Sequence, residues 1–150
     1  MTKVSRRLSK VLTIAILSFA LNACAGTGTK DLSIIRQAAD DASSTAIFVL
    51  RDTGFSGSAT LVDVVLDGVT IANLGQGETI TYPVEPGQHV LTANFRGIGG
   101  IGLNEPVATF DVEGKDKKFF TIQLRTGVLV NTLNLLEITR DSYFSTTSQR

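Results

Sequence analysis

The stretch Val64-Val65-Leu66-Asp67-Gly68-Val69-Thr70-Ile71-Ala72-Asn73-Leu74 decides the fold class. Two apolar runs rich in β-branched residues meet at Asp-Gly, the dipeptide of a two-residue hairpin turn, because glycine takes a positive φ without steric cost. An antiparallel hairpin is therefore expected here. Downstream, Glu85-Pro86-Gly87 makes a second reversal, with proline fixing φ and glycine permitting the turn. Further on, Ala108, Phe110 and Val112 share one face with Thr109 and Asp111 opposite, and Phe120, Ile122 and Leu124 oppose Thr121 and Gln123. Strands are expected near 45–51, 59–67, 69–74, 78–84, 88–95, 107–113, 117–125 and 133–140. Seven to eight strands in roughly a hundred residues match the size of an immunoglobulin-like antiparallel β-sandwich, so the class is all-β. With no tryptophan and one cysteine, only the true antibody-type domain is excluded.

Upstream of the strands the pattern changes. Ala25-Gly26-Thr27-Gly28-Thr29 is small and polar and reads as flexible tether. Leu32, Ile35, Ala39 and Ala42 then fall at helical spacing, and Asp31 is placed to cap a short helix. Asp40 and Asp41, near its C-terminus, oppose the helix dipole. The expected organisation is a tether with a candidate short helix over 24–44, a β domain over 45–141 and a polar C-terminal tail over 142–150.

The first 23 residues are of another kind. Lys3, Arg6, Arg7 and Lys10 form a basic stretch without acids, followed by an apolar run from Val11 to Ala23, the n-region and h-region of an export signal. At about 13 residues, interrupted by Thr13, Ser18 and Asn22, the run is short of the ~20 that span a bilayer. It ends in Leu21-Asn22-Ala23-Cys24, which resembles the lipobox of bacterial lipoproteins: a branched apolar residue, a tolerant position, a small residue, then cysteine. The resemblance implies a signal peptide over 1–23, cleaved by the lipoprotein signal peptidase, and Cys24 carrying covalent lipid as the chain's only cofactor-like group. Multiple acyl chains hold a protein to a bilayer where a single chain does not. Cys24 is the sole cysteine, so no intramolecular disulfide can form. Ala25 stands where enterobacterial inner-membrane lipoproteins carry a retention aspartate, which points to the outer membrane, facing the periplasm.

Charge narrows the partners. The whole chain balances 14 Lys and Arg against 14 Asp and Glu, and removal of the four signal-peptide cations leaves 10 against 14, or about −4. A mildly acidic domain without a basic stripe does not bind nucleic acid, because phosphate neutralisation dominates that affinity.

Several patterns suggest chemistry and are outweighed. Gly97-Ile98-Gly99-Gly100-Ile101-Gly102 satisfies G-x-G-x-x-G, but Leu103-Asn104-Glu105-Pro106 leads into a strand instead of the helix whose N-terminus holds a pyrophosphate. His89 is the single histidine, which provides no multi-histidine metal site, and it is expected to pair with a backbone carbonyl or a nearby carboxylate. Asp63 and Asp67, four apart on a strand, share a face at about 13 Å, too far to share a proton. Ser56 and Ser58, in Gly54-Phe55-Ser56-Gly57-Ser58, lack the elbow of a serine hydrolase. No enzyme, no metal site and no catalytic residue is expected.

Connectivity sorts the loops. With successive strands antiparallel, one end of the sandwich holds the turns at Asp67-Gly68, Glu85-Pro86-Gly87 and 113–116, and the other collects the loops around 54–57, 75–77, 97–106 and 126–132. The latter carry Phe55, Ile98, Ile101, Leu103, Val128, Leu129 and Val130, candidate interaction residues if they form an exposed patch and core caps if they do not. Since the tether enters the first strand at the tight-turn end, this apolar end is expected to face away from the anchoring membrane.

The hairpin stretch, together with Gly77-Glu78, Tyr82 and Val84-Glu85-Pro86-Gly87-Gln88-His89-Val90-Leu91, resembles PEGA-type sandwiches, though the Pro-Glu-Gly-Ala string itself is missing. It is more closely similar to an uncharacterised family of bacterial lipoprotein β-sandwich domains, in which a later strand ends in glycine as Phe119 to Gly127 does. The resemblance spans roughly 45–141 and implies a fold without a known enzymatic activity. The expectation is a lipid-anchored envelope protein whose sandwich is a non-catalytic protein-interaction or structural module with an envelope protein as partner. The alternative is a periplasmic glycan, peptidoglycan or small-ligand binder. Sugars stack on aromatic faces, and the long loops offer only Phe55, which favours the protein partner.

Overall fold

A computed structural model of the chain describes residues 26–53, 60–96, 104–126 and 131–148. Asp67 (φ 50°) and Gly68 (φ 81°) both adopt the left-handed conformation that a type I′ hairpin turn requires. Around this turn the chain order is α1 (Leu32–Asp40), β1 (Ala46–Arg51), β2 (Val62–Leu66), β3 (Val69–Leu74), β4 (Thr79–Pro83), β5 (Gly87–Phe95), β6 (Val107–Val112), β7 (Lys117–Thr126), β8 (Asn131–Ile138) and α2 (Arg140–Ser148). The strands form two four-stranded sheets, β4-β1-β7-β8 and β3-β2-β5-β6, giving the all-β sandwich expected from the alternation. Five pairings are antiparallel, while β1 and β7 run parallel. That pair still obeys strict up-and-down alternation, because two odd-numbered strands run the same way and here happen to be neighbours.

Between the sheets, Ile47, Val49, Phe120 and Ile122 meet Val62, Val64, Leu91 and Phe110 in one apolar core. Side chains that point away from it behave differently in the two sheets. On β3-β2-β5-β6, Asp63, Val65, Thr92 and Asn94 face solvent in the expected alternation, and β2 reads buried, half-buried, buried. On β4-β1-β7-β8, every residue of β1 is buried. Its outward Ala46, Phe48 and Leu50, with Phe119 of β7, are covered by Ile35 and Ala39 of α1 and by Tyr143 and Phe144 of α2. A strand buried on both faces loses its polar alternate positions. The domain is thus a sandwich with a helical layer on one sheet.

This layer changes the expected organisation. The stretch expected as a polar tail over 142–150 is instead helical to Ser148, with Tyr143 and Phe144 buried. Two adjacent aromatics bury well under a helix, each gaining about 1.5–3 kcal/mol, yet give no periodic signal. Phe48 stacks on Phe119 at 4.8 Å, and Tyr143 meets Phe119 at 5.2 Å and Phe144 at 5.4 Å. Thr139 caps α2 by accepting from the Ser142 amide at 3.2 Å.

At α1, Asp31 caps the start by accepting from the Ser33 amide at 2.9 Å. The acids that seemed to oppose its dipole have other partners. Asp40 pairs with Arg140 at the start of α2, and Asp41 accepts from the Ser43 amide at 2.9 Å just beyond the helix.

The segment read as flexible tether is docked. Thr27 donates its amide to Asn73 O (2.7 Å), and Thr29 exchanges backbone hydrogen bonds with Thr79 at 2.8 and 2.9 Å. Gly26 and Gly28 are the residues that permit it. A Cβ at Gly28 would lie 2.9 Å from Thr79 O and 2.7 Å from Leu74 Cδ2, and one at Gly26 would lie 2.7 Å from Gly75 N. Residues 26–29 therefore form a strap across the adjacent ends of β3 and β4.

Candidate functional site

The alternation of directions gives the sandwich two chemically different ends, with the tight turns at one and the strap at the other. At the tight-turn end, β2 delivers Asp67 into its positive-φ turn, and the start of β5 presents His89 beside it. His89 Nδ1 lies 2.7 Å from Asp67 Oδ2, and Nε2 lies 2.8 Å from the Glu85 carbonyl. Asp67 also accepts from the Val90 amide at 2.8 Å through Oδ1 and donates its own amide to Val90 O at 2.9 Å. Both ring nitrogens face acceptors, an arrangement that favours the imidazolium. The Asp67 hydrogen bond, and after it the Glu85 carbonyl, raise the His89 pKa, while the same bond and the Val90 amide lower that of Asp67. The sequence anticipated a carbonyl or a carboxylate partner for His89; the structure supplies both. Asp67, too far along the chain from Asp63 to share a proton with it, has His89 and the Val90 amide as its partners. This cluster fastens the β2–β3 turn to the β4–β5 turn.

Beside it runs a groove of about 270 Å³ along the open seam between β3 and β4, lined by Val69, Ile71, Tyr82, Pro83 and Val84, with Asp67, Glu85 and His89 at the rim.

At the other end the principal residue is Arg51, only 4 % exposed. Its Nη1 donates to Leu74 O at 2.9 Å and to Thr60 O, and its guanidinium lies 5.4 Å from the Phe95 ring. Burial lowers its pKa, and the charge of Glu78 acts against that shift. The adjoining cavity, among Val62, Phe95, Leu124 and Leu133, measures about 10 Å³, at most one water. Arg51 was missed in the sequence, although its place two residues beyond Val49 put it on the inward parity of β1. Glu78 accepts from the Gly75 amide at 2.9 Å beneath the strap. Nearby, Asp63 accepts from Asn73 Nδ2 at 2.6 Å and pairs with Arg96 Nε at 3.1 Å. Asn104 bridges the two sheets, exchanging hydrogen bonds with the Leu133 backbone at 2.8 and 2.9 Å.

The remaining sequence-derived candidates lie outside the described residues: Leu21, Asn22, Ala23 and Cys24, the glycine run 97–102, Ser56 and Ser58, and the loop residues Phe55, Ile98, Ile101, Leu103, Val128, Leu129 and Val130. Their flanking residues Thr53, Thr60, Arg96 and Asn104 sit at the strap end. Among the described residues no group of three or more His, Cys, Asp or Glu side chains could hold a metal ion, and no helix is long and apolar enough to cross a membrane.

The class of protein that fold and ends define is a two-sheet β-sandwich with one helix-covered sheet. No family model and no curated protein matches the chain. Among solved structures it is similar to an NMR structure of a protein from Eubacterium rectale, with TM-score 0.42 and 14% identity over 65% of this chain and 91% of that one.

Proposed function

We propose that the chain is a lipoprotein of the bacterial outer membrane, anchored through lipid on Cys24 and facing the periplasm, whose sandwich is a non-catalytic protein-interaction or structural module. The observation that supports this most is how the histidine and the buried arginine among the described residues are used. His89 and Arg51 direct their polar atoms to Asp67 and to the chain's own carbonyls at Glu85, Leu74 and Thr60. Groups arranged this way hold turns and sheet ends in place. A general base, in contrast, must reach a substrate proton with a free nitrogen.

The test uses the full chain in a bacterial host. Cys24→Ser is expected to leave an uncleaved precursor without acyl label, while its β domain folds as before. A photo-crosslinker at Thr92, on the bare sheet face, is expected to give a discrete adduct with an envelope protein that the same probe at Ser145 on α2 does not give. Processing and membrane binding unchanged in Cys24→Ser would defeat the anchor, and identical adducts from both positions would defeat the interaction module.

One observation favours the alternative of a glycan or small-ligand binder. The seam groove, at about 270 Å³, approaches the size of ligand pockets and presents the Tyr82 ring beside a carboxylate and an imidazole. Titration with soluble peptidoglycan fragments, comparing the wild type with Tyr82→Ala, separates the two readings. Saturable binding lost in the variant supports the groove, and no binding in either protein removes it.

A further inference from the structure

The course of the chain before β1 sets which end of the sandwich the segment following Cys24 reaches. β1 starts at the tight-turn end, as its Ala46 amide bonded to Asp116 O (3.1 Å) shows. The nine-residue α1 then carries the preceding chain back along the covered sheet, and the strap reaches the opposite end, where Gly26 lies against Gly75 and Glu78. Cys24 precedes Gly26 by two residues, which span about 7 Å at full extension. The expectation that the loop end faces away from the anchoring membrane followed from where β1 begins, whereas the docked strap brings the residues nearest Cys24 to that same loop end.

We infer that the strap Gly26–Thr29 holds the lipid-bearing cysteine at the Arg51 end of the sandwich, so that this end rests on the bilayer surface and the Asp67–Glu85–His89 end points away from it. The inference rests on the lipid-anchor reading and adds the orientation. A flexible tether would leave the domain free to tumble over the membrane. Here the slack is removed by the Thr27–Asn73 and Thr29–Thr79 backbone bonds, made within five residues of Cys24. The surface presented to periplasmic partners is then the tight-turn end and the bare β3-β2-β5-β6 face. The partner met by the strap end is a lipid surface.

The experiment places a fluorophore on one introduced cysteine in the mature, acylated protein, in which Cys24 is blocked by lipid, bound to phosphatidylethanolamine–phosphatidylglycerol vesicles that carry a headgroup acceptor dye. Glu105→Cys lies at the strap end of β6, and Gly114→Cys lies just past its other end in open space. The strand between them, Val107–Val112, separates the two positions by about 17 Å or more along its direction. Strong energy transfer from position 105 and weak transfer from position 114 are expected. Inserting about twelve Gly/Ser residues between Ala25 and Gly26 should reduce that contrast to near equality without touching the fold. Gly28→Val, which lifts the strap through its contact with Thr79 O, should do the same with an unchanged far-UV spectrum.

Equal transfer from both positions in the uninserted protein, or a reversed order, overturns the orientation while leaving the anchor intact. A contrast that survives the linker insertion also overturns it, because the strap is then not its cause. A protein that takes up no acyl label and does not float with the vesicles fails at the anchor itself, and the orientation fails with it.

Discussion

The two sheets are built from similar numbers of residues and come to opposite solutions for their outer faces. β3-β2-β5-β6 leaves its outer face to water and alternates accordingly, with Val64 and Leu66 inward and Asp63 and Val65 outward. β4-β1-β7-β8 has its outer face covered over β1 and over Phe119 of β7, and the cover comes from the two helices that flank the strands in sequence, α1 and α2, joined to each other by Asp40–Arg140 and by Arg36 over the Phe144 ring. Alternation in a strand reports one wet face. Its absence, as in Ala46-Ile47-Phe48-Val49-Leu50, reports that something sequence-distant has come to lie on the strand.

The strongest test of this contrast is to remove one outward side chain from each sheet. Phe48→Ala should cost about 3–5 kcal/mol in denaturant unfolding, because Phe48 is fully buried among Phe119 and Tyr143. Val90→Ala, at 39% exposure on the bare face, should stay within about 0.5 kcal/mol. Equal losses would mean that the helical layer is not part of the cooperative unit.

A finer test reads the polar atoms under that layer. Tyr143 Oη hydrogen-bonds Thr79 Oγ1, which also donates to Val49 O at 2.9 Å. Tyr143→Phe removes the first bond and should cost about 1 kcal/mol. Thr121 is 2% exposed, and its Oγ1 has no hydrogen-bond partner. Thr121→Val exchanges a buried unsatisfied hydroxyl for a methyl of the same shape, so it should stabilise by about 1 kcal/mol. A loss of stability in this variant would show the Thr121 site to be wet and the helical cover loose.

These residues also show how far the sequence could be read. The sandwich was legible because Asp67-Gly68 and Pro86-Gly87 admit few backbone conformations and the alternation in β2, β6 and β7 is local. Strict alternation of strand direction also sorted the tight turns, and the described flanks of the long loops, to their two ends. The helical layer was not legible, since Tyr143 and Phe144 sit among serines and threonines, and only their meeting with Phe48 and Phe119 gives them a purpose. The strap was misread for a similar reason. A Gly-Thr repeat looks flexible in isolation, but here glycine is required by close approach to Gly75 and Thr79. Of the candidate site, His89 and its class of partner could be anticipated, whereas the burial of Arg51 depended on a parity that a charged side chain ordinarily overrides.

The smallest expected effect distinguishes the two ends by pH. His89 has a raised pKa in the folded state, so its contribution is complete below its unfolded value near 6.5 and is lost as pH rises through the folded value. Asp67 has a lowered pKa, so its contribution is complete above its unfolded value near 3.8 and is lost as pH falls through the folded value. The pair therefore stabilises most between about pH 4 and 6.5, and weakens on either side. The gain is modest because Asp67 is 48% exposed and screened by solvent. Asp31 and Asp41 also have lowered pKa values, through Ser33 and Ser43, and contribute acid sensitivity of their own. The informative quantity is thus the difference in melting temperature between the wild type and His89→Gln, measured across pH. That difference should be largest in the middle window and should shrink as pH rises through the raised folded-state value, where the wild-type histidine loses its proton and the Glu85 carbonyl loses its charged donor. A difference that does not change between pH 5 and 8 would mean that His89 fastens the turns as a neutral ring, and that the tight-turn end carries no more pH sensitivity than the Arg51 end, where the guanidinium stays charged throughout.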